Sequence, residues 1–192
     1  MKKILIIITI FFSTISTINA EEIKRIVIGN EDAKITIIAF ESLTCSHCAN
    51  FHKDVFPELK KEYLDTGLAK IEFRHFPLDI AAFNASKVSQ CNNDGDSKIL
   101  NSLYANQQKW VKGSSVQEAN ENLKKFLVSE GYSVDFNKCI NDKEIEDFVL
   151  NDRIDGVKKY KVNATPTIII NNEKFEKTLN YKNLKKALEK LI

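Results

Sequence analysis

Apolar positions recur along this chain with two different spacings, and the places where the spacing changes mark its elements. Residues 35–40, Ile-Thr-Ile-Ile-Ala-Phe, form an apolar run rich in β-branched side chains and long enough for a buried strand. After Cys48 the period becomes four. Phe51, Val55, Leu59 and Tyr63 alternate with Lys53, Asp54, Glu58, Lys60, Lys61 and Glu62, which is one apolar stripe on an amphipathic helix. That helix is expected to run from Cys45 to about Thr66, to kink at Pro57 where a backbone donor is lost, and to stop at Gly67. Upstream, residues 25–28 read as a short strand and 29–32 as a turn. Downstream, residues 69–76 alternate with period two, a third strand ended by Pro77.

From residue 79 to about 162 the three- and four-residue spacing dominates. It predicts helices over 80–91, 96–110, 116–130 and 142–161, with a shorter piece over 133–140 and Gly95, Gly113 and Gly131 as punctuation. The strand signal returns at 167–170. Asn171 and Asn172 suit a tight hairpin turn because Asn tolerates positive φ, and 174–176 is expected to pair back. Residues 181–192 form a last helix with Leu184, Ala187, Leu188 and Leu191 on one face. The order is β-β-α-β, a helical block, then β-β-α. Periodicity alone supports an α/β protein with a helical insertion. If the two halves share one sheet, the core spans 21–78 and 163–192, the insert 79–162, and the core is thioredoxin-like.

Composition adds the compartment. The 192 residues are 43% hydrophobic and 28% charged, ordinary for a single globular domain, and 6 Gly and 3 Pro leave little room for linkers. At the N-terminus Lys2 and Lys3 precede an apolar run over 4–12 broken only by Thr9, then a Ser/Thr-rich stretch to Ala20. This is the layout of a secretory signal over residues 1–20, although Ile18 stands where a small residue is preferred. The run is short for a spanning helix of roughly 20 residues, so cleavage after Ala20 is expected over retention as an anchor. No cysteine lies near the cut, which argues against a lipid-anchored protein. The chain has 28 Lys and Arg against 26 Asp and Glu, and two of the former are Lys2 and Lys3. Their removal leaves a balanced chain with no charge excess for nucleic acid or an anionic surface.

Four cysteines remain: Cys45, Cys48, Cys91 and Cys139. An even number in an exported chain suggests disulfides, and four are too few for a disulfide-stapled scaffold. Cys45 and Cys48 sit where the strand turns into the first turn of the helix. A helix N-terminus carries partial positive charge and free N–H groups, both of which favour a thiolate, the nucleophilic form. Two cysteines three apart on one turn can also bridge each other. The pair has three readings: a redox dithiol, favoured by the strand–helix context; a zinc site with His52, which lacks a fourth ligand; or a structural disulfide. His47, between the cysteines, is either an exposed polar residue or a group that lowers the Cys45 pKa. Thr165-Pro166 is either a proline at a strand start or a cis proline beside the cysteines, and sequence physics leaves both open. His52 is expected on the helix surface, His75 as a satisfied polar residue at a sheet end, and Trp110 in the core.

Cys45-Ser-His-Cys48, the strand end Phe76-Pro77-Leu78, the helical insert and Ala164-Thr165-Pro166-Thr167 together resemble the DsbA-like thiol-disulfide oxidoreductases, over essentially the whole chain after residue 20. The resemblance implies a thioredoxin fold with an inserted helical domain, export to the periplasm, and oxidation of reduced cysteine-containing exported proteins. It implies a DsbB-type membrane reoxidant as partner, and no cofactor or metal. Cys45 becomes the exposed nucleophile and Cys48 the resolving cysteine. His47 becomes the tuning residue, and Thr165 with a cis Pro166 the substrate-binding edge. Cys91 and Cys139 resemble a second pair found in the insert of some relatives. The other functions this fold carries are isomerase or reductase, or a secreted binding protein whose CxxC only staples. Dimeric isomerases of the class carry an N-terminal dimerisation domain, for which the residues between Ala20 and Ile26 leave no room, which disfavours that alternative; a monomer is expected. Two departures stand out. The dipeptide is Ser46-His47 rather than Pro-His. The acid that many members carry six residues before the first cysteine is Ala39 here, with Glu41 as the nearest acid and a different placement expected for it.

Overall fold

The computed structural model describes residues 22–192, and the expected signal over 1–20 lies outside them. Five strands form one sheet in the order β1-β3-β2-β4-β5: β1 (Ile26–Gly29), β2 (Ile35–Glu41), β3 (Ala69–His75), β4 (Thr167–Ile170) and β5 (Glu173–Lys174). β2 pairs parallel with β3 and antiparallel with β4; β1 and β5 pair antiparallel at the edges. The central β2 is paired on both sides, which is what its apolar run anticipates. Its alternate positions serve two cores. Ile35, Ile37 and Ala39 join a large core with α1 and the insert, whereas Ile38 and Phe40 join a smaller one with Phe76, Tyr160, Val162 and Ile169. This is a thioredoxin fold, α/β in class, with the helices between β3 and β4 as the insertion.

The helix after the cysteines departs from expectation. It is not one kinked helix from Cys45 to Thr66. It is α1 (Ser46–Asp54), α2 (Phe56–Leu59) and a π-helical turn over Lys60–Leu64. Helical geometry fails at Val55 (φ −119°), and Pro57 lies in the first turn of α2. There its missing N–H costs nothing, because first-turn donors have no intrahelical partner. The stripe survives the break: Phe51, Val55, Leu59 and Tyr63 are all buried.

The insert comprises α3 (Ile80–Gln90), α4 (Lys98–Ala105), α5 (Gln107–Trp110), α6 (Val116–Ser129), α7 (Phe136–Asn141) and α8 (Lys143–Tyr160). The expected helix over 96–110 is thus two, divided at Asn106. Trp110 is buried and its indole N–H donates to the Leu103 carbonyl at 2.9 Å. α8 lies against the sheet face opposite α1. Gly156 makes this approach possible, since a Cβ there would stand 3.0 Å from the Phe40 ring. Asp152 on α8 is fully buried, and accepts from the Arg25 guanidinium at 2.5 Å and the His75 backbone N–H at 3.1 Å. His75 is buried as well, with Nε2 3.3 Å from Gln90 Oε1. Asn171 and Asn172 take φ of 47° and 71°, and the returning strand is Glu173–Lys174 rather than 174–176. The last helix, α9 (Tyr181–Leu188), buries Leu184 and Leu188 but ends before Leu191, which is exposed. Cys91, at the end of α3, is bonded to Cys139 on α7, 48 residues away.

Candidate active site: a dithiol at the end of the central strand

β2 delivers the chain to the site, and α1 holds it there. Cys45 is the N-cap of α1, with extended φ and ψ of −78° and 119°. Its N–H donates to the Ser42 carbonyl at 3.0 Å, and its own carbonyl accepts from Cys48 N at 3.1 Å and Ala49 N at 3.2 Å. The first turn of α1 contains no acidic residue, so the positive end of the helix is left to the Cys45 sulfur. Cys45 is partly exposed and Cys48 fully buried, both as free thiols. The insert straps this turn from two sides. Thr44 donates to Asp79 Oδ2 at 2.6 Å, while Asp79 Oδ1 caps α3 through Ala82 N at 2.7 Å. From α5, Gln107 Nε2 donates to the carbonyls of Leu43 at 2.9 Å and Cys45 at 3.0 Å.

The two thiols have opposite acidities. Cys45 is lowered to about 5. The largest cause is a hydrogen bond from the Cys48 thiol; burial opposes it, and the Thr165 side chain and the backbone N–H groups of Cys48 and His47 add to it. Cys48 is pushed far up, first by burial, then by its bond to Cys45 and by the negative charge of Glu41. At neutral pH the exposed sulfur is a thiolate and the buried one a thiol. His47 is exposed, and its backbone N–H is one of the groups that lower the Cys45 pKa.

Thr165-Pro166 is cis, and the Thr165 carbonyl lies 3.3 Å from Cys45 Sγ, within reach of the thiol proton. Beside it runs a cleft of about 590 Å³ lined by His47, Phe51, Thr165, Pro166, Leu179 and Tyr181 among others. A separate cleft of about 1040 Å³ lies around the N-terminal strand and α8 and touches none of these residues. Cys91 and Cys139, bonded to each other within the insert, take no part in the site.

Two residues change place relative to expectation. Glu41 is two positions after Ala39 on β2, and strand alternation puts both on the same face. Glu41 therefore stays on the α1 side, one pleat nearer the cysteines, 3% exposed and close enough to oppose ionisation of Cys48. His52 is not a surface residue. It stands one helical turn after Cys48, on the same side of α1, with its side chain 6% exposed and Nε2 2.8 Å from Glu41 Oε2. That partner removes it from the sulfurs as a zinc ligand, and among the described residues no three metal-binding side chains converge. The i, i+4 spacing of Cys48 and His52 and the i, i+2 spacing of Ala39 and Glu41 were the available signals. Asp79 is signalled as a helix cap before residues 80–91. Nothing in the sequence signals Gln107, whose partners are more than 60 residues away.

Sheet order, insert and a cysteine pair at the end of the central strand define a thioredoxin-fold dithiol protein. A family model described as thioredoxin matches residues 21–190. The crystal structure of Wolbachia pipientis α-DsbA1 superposes with a TM-score of 0.77 at 30% identity, covering 87% of this chain and 90% of that one. A putative protein-disulfide oxidoreductase of Rickettsia bellii is 28% identical over 86% of this chain and 64% of its own length. Disulfide bond formation protein D of Bacillus subtilis is 26% identical, over 85% of this chain and 75% of its own. The chain spans about half to two thirds of the length of the rickettsial relatives it matches. It belongs to the DsbA-like branch of the thioredoxin family.

Proposed function

We propose that the protein is an exported dithiol oxidase that introduces disulfides into other exported proteins. The observation that carries this reading is the opposite acidity of Cys45 and Cys48. A substrate thiolate attacks Cys45 Sγ of the oxidised pair; the Cys45–Cys48 bond breaks and Cys48 leaves, taking a proton. A second substrate thiolate then attacks the substrate sulfur of the mixed disulfide and releases Cys45 as a thiolate. Two electrons have passed from substrate to enzyme. The low pKa of Cys45 makes it the better leaving group in this last step, which drives the exchange towards oxidised substrate. The edge at Thr165 and Pro166, on the wall of the cleft beside Cys45, holds an extended substrate segment, and His47 favours the thiolate from the rim. A DsbB-type membrane protein reoxidises the pair. The enzyme is a monomer needing no metal or cofactor, and residues 1–20 act as its export signal.

The oxidised protein is expected to convert a reduced two-cysteine peptide to its disulfide stoichiometrically. A protein that instead only reduces insulin disulfides contradicts the oxidase reading. The Cys91–Cys139 bond is structural in this account. The Cys91→Ser, Cys139→Ser protein is expected to keep peptide oxidation while losing about 3–4 kcal/mol of stability, the chain-entropy value for a loop of this length. Equal urea midpoints for the two proteins would remove that role.

A further inference from the structure

The exchange proposed above requires a proton carrier for Cys48. That sulfur is fully buried, yet it takes up a proton each time substrate opens the disulfide and gives one up each time the disulfide closes. Its charged neighbour, Glu41, is buried too and has one oxygen, Oε1, without a protein partner. The other oxygen meets His52 Nε2 at 2.8 Å. The His52 ring is clamped between Tyr104, stacked at 4.0 Å and 17°, and Phe73, stacked at 5.2 Å and 29°, with Phe56 at 5.4 Å. So held, it cannot swing between roles, and its second nitrogen, Nδ1, is buried with no partner. Asn101 Oδ1, about one turn before Tyr104 on α4, is buried and unpartnered as well. His52 and Asn101 line one cleft of about 700 Å³ between α1 and α4–α5, with the polar Asn50, Lys53, Gln107 and Lys109 also on its walls. Three buried polar atoms thus have no partner, and His52 joins the polar cleft on one side to the Glu41 carboxylate on the other.

We infer that His52 is a positioning residue that passes protons between solvent in this cleft and Glu41, and through Glu41 to Cys48. The inference rests on the exchange reading above. When the disulfide opens, an acid in the cleft protonates His52 Nδ1 and Nε2 gives its proton to the Glu41 carboxylate. Glu41 then protonates Cys48 as it leaves Cys45. The imidazole ends neutral, as the other tautomer, and one proton has moved from solvent to sulfur. Closing the disulfide runs the same steps backwards. The titratable groups facing His52 are Glu41 from β2, Tyr104 from α4 and Cys48 on its own helix. Lys53 and Lys109 stand at the cleft, and the β3 neighbour, Phe73, is uncharged.

His52→Gln keeps a hydrogen-bond donor for Glu41 but has no second nitrogen to take up a proton. The measurement is the single-turnover rate at which dithiothreitol reduces the oxidised protein, from pH 5 to 8, in H₂O and D₂O. The Cys45 thiolate is titrated alongside. The rate is expected to fall at least about tenfold, below the 10²–10⁴ range of direct general acid–base catalysis because water can substitute in part. The solvent isotope effect is expected to rise and the Cys45 titration to stay in place. Imidazole in the buffer is expected to restore the rate of a His52→Gly protein. If His52→Gln fails to fold, Glu41→Gln gives the same comparison, with the same loss expected. A His52→Gln rate within twofold of the parent at every pH overturns the inference. So does a slow His52→Gly protein that imidazole does not rescue, which would leave His52 a packing role. A parent protein that fails to exchange with any thiol would overturn the function reading instead.

Discussion

Alkylation of the reduced protein by iodoacetamide is expected to follow a single titration with its midpoint near pH 5, level above about pH 6. In a Cys91→Ser, Cys139→Ser background, where reductant frees no other thiol, only Cys45 should react, because Cys48 is both fully buried and held as a thiol. The size of the effect depends on pH in a way that tests the cause. At pH 5 an ordinary thiol of pKa about 8.5 is roughly 0.03% thiolate, whereas a group titrating at about 5 is half ionised. The lower pKa also weakens the nucleophile, by roughly 40-fold for a Brønsted coefficient of about 0.4–0.5. The net advantage is about 40-fold at pH 5 and falls to near parity at pH 7. Cys45→Ala should abolish the reaction at every pH. Cys48→Ala should keep it but move the midpoint up, since the Cys48 hydrogen bond is the largest cause of the lowered value. His47→Ala should also move the midpoint up, by less, because the backbone N–H at that position remains. A midpoint near 8.5 in the parent protein would mean that the sulfur is an ordinary thiol and that the site is not tuned at all.

The second expected result concerns stability. The reduced protein should be more stable than the oxidised one at pH 7. Cys45 has a folded pKa of about 5 against an unfolded value near 9, a depression. Stability from a depressed pKa is complete above the unfolded value and is lost as pH falls through the folded one. The window is therefore pH 9 down to pH 5. At pH 7 the unscreened figure is about 2.7 kcal/mol. The sulfur is partly exposed, so solvent screening brings this to roughly 1–2 kcal/mol. Cys48 works in the opposite sense. Its folded pKa is raised, so its contribution is intact below about pH 9 and is lost above it, where the unfolded thiol ionises and the folded one does not. The advantage of the reduced form should climb from pH 5, peak near pH 9 and decline beyond. Urea midpoints of the two forms, measured in a Cys91→Ser, Cys139→Ser background so that reductant opens nothing else, give the curve. An oxidised form that is more stable at every pH contradicts it.

The parts of this architecture that local pattern controls were legible before any coordinates. β2 announces itself by an apolar run, the helical stretch from α1 to the π-helical turn by the four-residue stripe from Phe51 to Tyr63, and the β4–β5 turn by two asparagines that accept positive φ. The strand–helix junction placed Cys45 and Cys48 where they are. What local pattern does not carry is which way a helix breaks and what lies across the core. Pro57 signalled a disturbance. Whether it kinks one helix or starts another depends on whether packing keeps Val55 helical, and here it does not. His52 looked exposed because it interrupts the apolar stripe, yet Tyr104 from the insert covers it. A contact between residues 52 positions apart in the chain leaves no periodic trace in either segment. Glu41 shows the reverse case. Two-residue alternation already put it on the face of Ala39, and only the height of the carboxylate relative to Cys48 needed the fold.

The acidity of Cys45 should appear most directly in the equilibrium redox potential of the Cys45–Cys48 pair, read against glutathione at pH 7. Each pKa unit below ambient pH favours the reduced state by about 30 mV, so two units raise the potential by about 60 mV before solvent screening. With the buried thiol of Cys48 held neutral, the pair should stand at or above about −180 mV, in the range of proteins that donate disulfides. A value near −270 mV, where dithiol reductants lie, would contradict the assignment of this site as an oxidant.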